Sequence, residues 1–412
     1  MKYIKGFFLI LSLGYHPAAV GATGDYNRPT GLGQRRREVP TSFVHPGILY
    51  TLNEIEQYRS NALSGEVPWA STYQDLLNDG FSSSSYKMEG PAPIIGRNTG
   101  NDTISDWSNN FQSDSRAALL NALVYSITGE TANAGKTVEI VDAWSATLQE
   151  VVSEDNILAA TSGRQLVNGA ELVRYLVGTW PSGEANFQRA QAMVSKALVP
   201  YMYAIGTPAP GGNQAFLGHM AGLEYSIFTN NYTGFADELD IIMQPKDACI
   251  GTEGSGMQAL LLNTTGQCAE AGRDQGHSAD EVGWIEEAAQ VAANQGDTSV
   301  FEFISQDGAN TPLLLLALEY YFKYNTGSDD VSFDTNWGPC CCGTILYSEI
   351  SNISRASSYP IGEIGYRYYH NEHGYSTPYS EAWLTGMRPL ETSSNYRDFM
   401  GYPTLTWATG TI

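Results

Sequence analysis

From Phe111 onward, apolar residues return every three or four positions almost without pause, the spacing that places them on one face of an α-helix. Ala118, Ala122, Tyr125 and Ile127 form the first run, which stops at Thr128-Gly129. Residues 138–152 carry Val141, Trp144 and Leu148, and residues 166–177 carry Val167, Ala170, Val173 and Val177. Further helices are predicted over 187–198, 215–229, 235–243 and 311–324, with shorter ones at 345–350 and 378–385. Ahead of Phe111, residues 52–60 and 70–78 read as short helices. A Gly-, Pro- and Ser-rich loop from Ser82 to Trp107 then follows, a candidate for lining a groove. Only residues 364–369 have any strand character. The pattern predicts an all-α fold. Helix pairs of similar length joined by short loops predict an (α/α) toroid or incomplete barrel of helical hairpins, in a single main domain.

One stretch combines this periodicity with chemistry. A polar, glycine-punctuated loop from Gly266 to His277 runs into a helix marked by Val282, Ile285, Ala289 and Ala292. Ser278-Ala279-Asp280-Glu281 fits a capping box, so the helix is expected to begin there, and Gly296 to stop it. Arg273, Asp274, Gln275 and His277 are thereby held at a helix N-terminus, whose partial positive charge and free N–H groups suit a carboxylate. The structural alternative is that Arg273 and Asp274 pair with each other while His277 completes the cap. Asn213, after Gly211-Gly212, is expected to N-cap the helix bearing Phe216, Met220, Leu223 and Ile227, with His219 nearly two turns in. Asn168, Glu171 and Arg174 share one helical stripe, either as a buried Glu–Arg tie or as binding groups. Residues 366–373 (YRYYHNEH) are dense in aromatic and titratable groups, which serve equally to stack on sugars or to fill a core.

Composition narrows the setting. Met1 to Ala22 reads as a secretory signal, with Lys2 and Lys5 before the apolar segment Phe7 to Leu13 and a small-residue cleavage site at Val20-Gly21-Ala22. Residues 23–40, with Arg35-Arg36-Arg37, read as a linker or propeptide, and 41–412 as the folded domain. Sequons at Asn101, Asn231, Asn263 and Asn352 fit a secreted, extracellular glycoprotein. The formal charge of −22 argues against nucleic acid and anionic membranes as partners, and no apolar run is long enough to span a bilayer. Five cysteines leave at least one unpaired; Cys249 with Cys268 is the preferred bridge, and Cys340-Cys341-Cys342 lacks metal-site spacing. There is no nucleophile elbow, zinc helix or phosphate loop. No metal or cofactor is expected.

Several blocks, in order, resemble signatures of the alginate-lyase superfamily of secreted polysaccharide lyases, which includes alginate and glucuronan lyases. They are His45-Pro46-Gly47 with Pro68-Trp69, residues 122–129 (ALVYSITG) with Asp142-Ala143-Trp144-Ser145, residues 168–174 (NGAELVR), Gly212-Asn213, residues 266–277 (GQCAEAGRDQGH), Asn294-Gln295-Gly296 and Glu319-Tyr320. The match covers roughly 43–324, and GRDQGH is its most specific part. The resemblance implies an (α/α) toroid and β-elimination on a uronic-acid polysaccharide, alginate- or glucuronan-like. That reaction needs donors to neutralise the uronate carboxylate, a base for the adjacent proton and an acid for the leaving oxygen. By resemblance, Asn213 and Arg273 are the neutralising residues and His277 stands at the reacting centre. Arg174, Asn168, Gln275 and His219 are the expected substrate contacts. Some relatives carry a tyrosine just after this histidine. Here Ser278, Ala279 and Asp280 follow, so that role passes to His277 itself or to a tyrosine from elsewhere, with Tyr366 the candidate. The competing readings are an (α/α) glycoside hydrolase acting on a neutral polysaccharide and a non-catalytic carbohydrate-binding cell-wall protein.

Overall fold

The computed structural model describes residues 37–152, 157–201, 212–244, 256–339, 345–390 and 398–410. Its first helices are α1 (Leu52–Leu63), α2 (Trp69–Asn78), α3 (Asp102–Thr128), α4 (Thr131–Thr147), α5 (Gly163–Val177), α6 (Glu184–Met193), α7 (Asn213–Phe228) and α8 (Tyr232–Ile242). They are followed by α9 (Met257–Leu260), α10 (Gln275–Asn294), α11 (Ser299–Glu302), α12 (Leu313–Asn325), α13 (Glu363–Tyr366), α14 (Pro378–Met387) and α15 (Pro403–Thr406). Among the described residues the one sheet is a two-residue parallel ladder, β1 (Ile94–Ile95) beside β2 (Glu150–Val151).

The helices form two layers, as the toroid expectation requires. Helices α3, α5, α7, α10 and α12 lie side by side in succession, and α4, α6, α8 and α14 pack behind them. Burial follows from sequence. Every residue of α7 except Gln214 is buried, as befits an inner helix that is apolar nearly all round. Helix α6, in the outer layer, buries only the stripe Phe187, Ala190 and Met193. Gly169 explains how α3 and α5 approach so closely, since a Cβ there would lie 2.8 Å from the carbonyl oxygen of Ala118. At the C-terminal end, α15 packs on α1 and α2.

The inner layer is also tied by charge. Arg164 on α5, 1% exposed, donates to Glu224 of α7 through Nε at 2.8 Å and to Glu287 of α10 through Nη2 at 2.8 Å. Asn168 completes the knot, donating to the second oxygen of Glu224 at 2.7 Å.

Four local expectations are corrected. The loop after Ser82 ends early, because Asn101 accepts from the backbone N–H groups of Thr103 and Ile104 and starts α3, placing Trp107 within that helix. Helix α4 stops at Thr147, and the last residues of the predicted 138–152 helix become β2. Residues 345–350 are not helical. Residues 364–369, read as a possible strand, belong to α13 and the π-helical turn Arg367–Glu372 that continues it. Glu286 accepts from the N–H groups of Gly362 and Gly365 and anchors that helix start. The signal segment, Cys249 and Cys340 to Cys342 lie outside the described residues, and Cys268 is a buried free thiol.

Candidate active site

The inner helices α7 and α10 are neighbours, and their N-terminal turns border one cavity of about 310 Å³. That is near the lower end of ligand pockets, ~300–1,000 Å³. Gly212 (φ +83°) is the cap residue of α7, one position earlier than expected, so Asn213 and Gln214 occupy the first turn. Both line the cavity. Asn213 Oδ1 accepts from the N–H of Gln214 at 2.7 Å.

The start of α10 also differs from expectation. Its cap is Asp274, four residues before the expected Ser278, and the helix begins at Gln275. Asp274 Oδ1 accepts from the backbone N–H of His277 at 2.8 Å, and Oδ2 lies 2.7 Å from His277 Nδ1. One carboxyl therefore both caps the helix and fixes the imidazole, leaving Nε2 as the nitrogen free of that contact. Glu281 instead accepts from the N–H of Glu270, tying the preceding loop to the helix. Gly276, His277, Asp280 and Trp284 then present one stripe of α10 to the cavity.

The remaining walls come from distant segments: Arg97 from the loop before α3, Ile157 before α5, Tyr359 before α13, and Asp398 near the C-terminus. Gly276 makes room for the tyrosine, since a Cβ there would lie 2.7 Å from the Tyr359 hydroxyl. Trp284 Nε1 donates to the carbonyl of Asp398 at 3.0 Å and holds that segment against α10. Burial pushes the Tyr359 phenol above its ordinary range, reinforced by Asp280, Asp274 and Asp398 against the bond to Ser354. Asp280 is pushed well up as well, first by burial and then by Asp398 and Asp274, with Arg273 opposing.

Of the residues expected at the site, Asn213 and His277 meet on this cavity and the others do not line it. Arg273 has a half-exposed side chain that lies 3.6 Å from Glu270 and 3.7 Å from Asp274, a residue of the cavity wall. Tyr366 is buried and its ring stacks on His370 at 4.7 Å. His219 pairs with Glu238 at 2.7 Å, joining α7 to α8. Gln275 donates to the carbonyls of Ala271 and Ser351 and accepts from Asn325, bracing the loop against α12. Asn168 belongs to the buried Arg164 knot. Arg174 pairs with Glu184 at 3.3 Å, while Glu171 pairs with His45 at 2.7 Å, so no Glu171–Arg174 tie forms. Sequence reading missed Arg97, Gln214, Asp280, Trp284, Tyr359 and Asp398. The i, i+3, i+7 spacing of His277, Asp280 and Trp284 was the available signal for two of them.

No family model matches the sequence, and no curated protein matches it. Solved structures do. The chain superposes on an alginate lyase from Bacteroides ovatus with a TM-score of 0.59 at 12% identity, covering 89% of this chain and 100% of that one. Alginate lyase A1-III from Sphingomonas species A1 gives a TM-score of 0.55 at 12% identity, over 86% and 95% of the two chains. A tetrasaccharide complex of alginate lyase A1-III gives 0.58 at 13% identity, over 87% and 94%. The chain thus has the helical toroid fold of alginate lyases. Among the described residues no helix is long and apolar enough to cross a membrane.

Proposed function

We infer that the protein is a secreted polysaccharide lyase that cleaves a uronic-acid-containing polysaccharide, alginate- or glucuronan-like, by β-elimination. The observation that carries this reading is the Asp274–His277 pair opening on a cavity shared with Asn213 and Tyr359, within an alginate-lyase-like fold. In β-elimination a base removes the proton next to the carboxyl group, the bond to the glycosidic oxygen breaks, a C=C bond forms, and the departing oxygen takes a proton. His277, with Nδ1 held by Asp274, presents Nε2 as the base. Tyr359, kept protonated by its buried surroundings, is the acid that Tyr366 was expected to supply. Asn213, Arg97 and the partial positive charge of two helix starts favour a carboxylate between them. Arg273 acts through Asp274, which it orients.

A second reading has its own support. Asp274, Asp280 and Asp398 surround the cavity of a chain of charge −22, which suits a glycoside hydrolase acting on a neutral polymer. One assay separates the two. Incubation with a panel of uronic-acid polymers should yield an unsaturated product absorbing in the ultraviolet, and His277→Ala should lower turnover by roughly 10²–10⁴-fold at unchanged melting temperature. New reducing ends without that absorption would establish hydrolysis instead. Neither product, with binding intact, would leave a carbohydrate-binding protein.

A further inference from the structure

The run Arg35-Arg36-Arg37 has no part in the proposed reaction, and its last member is not a solvated charge. Arg35 and Arg36 lie outside the described residues, while Arg37 is the first residue of the folded unit. Its Nη1 donates to Oδ2 of Asp297, its Nη2 donates to Oγ of Ser299 at 2.9 Å, and its Nε lies 3.5 Å from Asp240 on α8. Asp297 is itself braced, since its other oxygen accepts from the N–H of Ser299 at 2.9 Å. The Arg37 side chain is left only 22% exposed. The backbone that follows is irregular: residues 37–44 form neither helix nor strand, and Glu38 is exposed. Arg37 is thus held chiefly by its guanidinium.

An endoprotease that cuts after basic residues must draw the side chain before the cut into its own acidic pocket, while the residue after the cut supplies only the leaving amine. Three arginines in a row offer two bonds that follow a basic pair, Arg36–Arg37 and Arg37–Glu38. Cutting the second requires the Arg37 side chain to leave Asp240, Asp297 and Ser299 first, so its rate scales with the small fraction of time that the side chain is out. Cutting the first leaves those contacts in place. We propose that an endoprotease specific for paired basic residues matures the chain at the Arg36–Arg37 bond, making Arg37 the first residue of the mature protein. Water adds across that peptide bond, the C–N bond breaks, Arg36 leaves with the new carboxylate and Arg37 keeps the new amino group. The cut is independent of the lyase reading.

The test treats the purified full chain with such a protease and reads the product by intact mass and N-terminal sequencing. The product should begin at Arg37. Arg35→Gln removes the basic pair ahead of the first bond and should leave the segment attached. Arg37→Gln keeps that pair and should be cut at the same bond as fast as the wild type. The opposite pattern, or a product beginning at Glu38, overturns the proposal. Trypsin, which accepts a single arginine, measures the hold on Arg37 directly. Relative to a free peptide of residues 31–42, the Arg37–Glu38 bond of the folded chain should be cut roughly 10- to 100-fold more slowly, as for hydrogen bonds to a charged group. Asp297→Asn keeps the shape, removes the charge and should abolish most of that protection at unchanged melting temperature. Equal rates in the folded chain and the peptide would overturn the proposal, because nothing would then steer the protease from one bond to the other. Secretion from a eukaryotic host completes the test: a chain beginning at Arg37 supports maturation at this bond, and one that keeps residues 23–36 overturns it.

Discussion

Gly276 gives the smallest handle on the candidate site. It sits in the first turn of α10 between Asp274 and His277, and its missing Cβ is where the Tyr359 hydroxyl approaches. Alanine is the better helix former by about 1 kcal/mol, so Gly276→Ala should leave the melting temperature unchanged or raise it. It must also push the phenol out of place and crowd Asp274 Oδ1, 3.1 Å from the new Cβ, and turnover should fall roughly 10- to 100-fold, as for reacting groups displaced by about 1 Å. Full activity in this variant would remove Tyr359 from the mechanism. The same position marks what was legible from sequence. His277 stood out because GRDQGH is dense in chemical groups, and the helical spacing that follows it leads to Asp280 and Trp284. Tyr359, Asp398 and Arg97 are brought from far along the chain by the closing of the toroid, and no local pattern announces them. Arg273 and Tyr366 lie off the cavity for a different reason. Their residue types suit the chemistry, but Arg273 turns to Glu270 and Asp274, and Tyr366 turns to His370.

At the scale of elements, the periodicity located the long helices well because their burial is nearly complete and their ends carry ordinary stop and start residues. It failed where a cap competes with another. Both Asp274 and Ser278 can cap α10; Asp274 wins because its two oxygens serve the His277 N–H and ring together, while Ser278 turns its hydroxyl to the carbonyl of Asp274. Several blocks that carry the family resemblance prove to be scaffold. Gln295 Nε2 donates to the carbonyl of Gly47, His45 pairs with Glu171, and Glu319 accepts from the N–H groups of Tyr379 and Ser380. The Arg164 knot joins three inner helices in the same manner. Removing its cation leaves Glu224 and Glu287 buried together, so Arg164→Met should cost about 3–5 kcal/mol in denaturant unfolding. Replacing Glu224 by glutamine in the same variant should recover part of that loss. A stability change under about 1 kcal/mol for Arg164→Met would mean that water reaches the knot and the helices are held by apolar packing alone.

Over the whole molecule, the buried carboxyl groups set the direction of the pH response. Two carboxyls share the single guanidinium of Arg164, and burial pushes Glu224 up to about 7. Glu286, buried but for its two backbone donors, is pushed up to about 8, and Asp280 and Glu281 move the same way. The folded chain therefore holds protons that the unfolded chain, with carboxyls near 4.5, has released. Stability falls with pH wherever the native state binds more protons. These contributions are complete below about pH 4.5 and are lost as pH rises through about 7 for Glu224 and 8 for Glu286. Thermal unfolding should thus give a midpoint that drops steadily between pH 5 and 8. Self-repulsion of a surface with formal charge −22 acts in the same sense, but salt screens it over about 3 Å at 1 M and hardly reaches the interior. Melting curves at pH 5 and pH 8, in low salt and in 1 M sodium chloride, separate the two. A midpoint difference that survives high salt locates the protons inside the fold. One that vanishes there assigns the whole effect to the surface and leaves the buried carboxyls ionised.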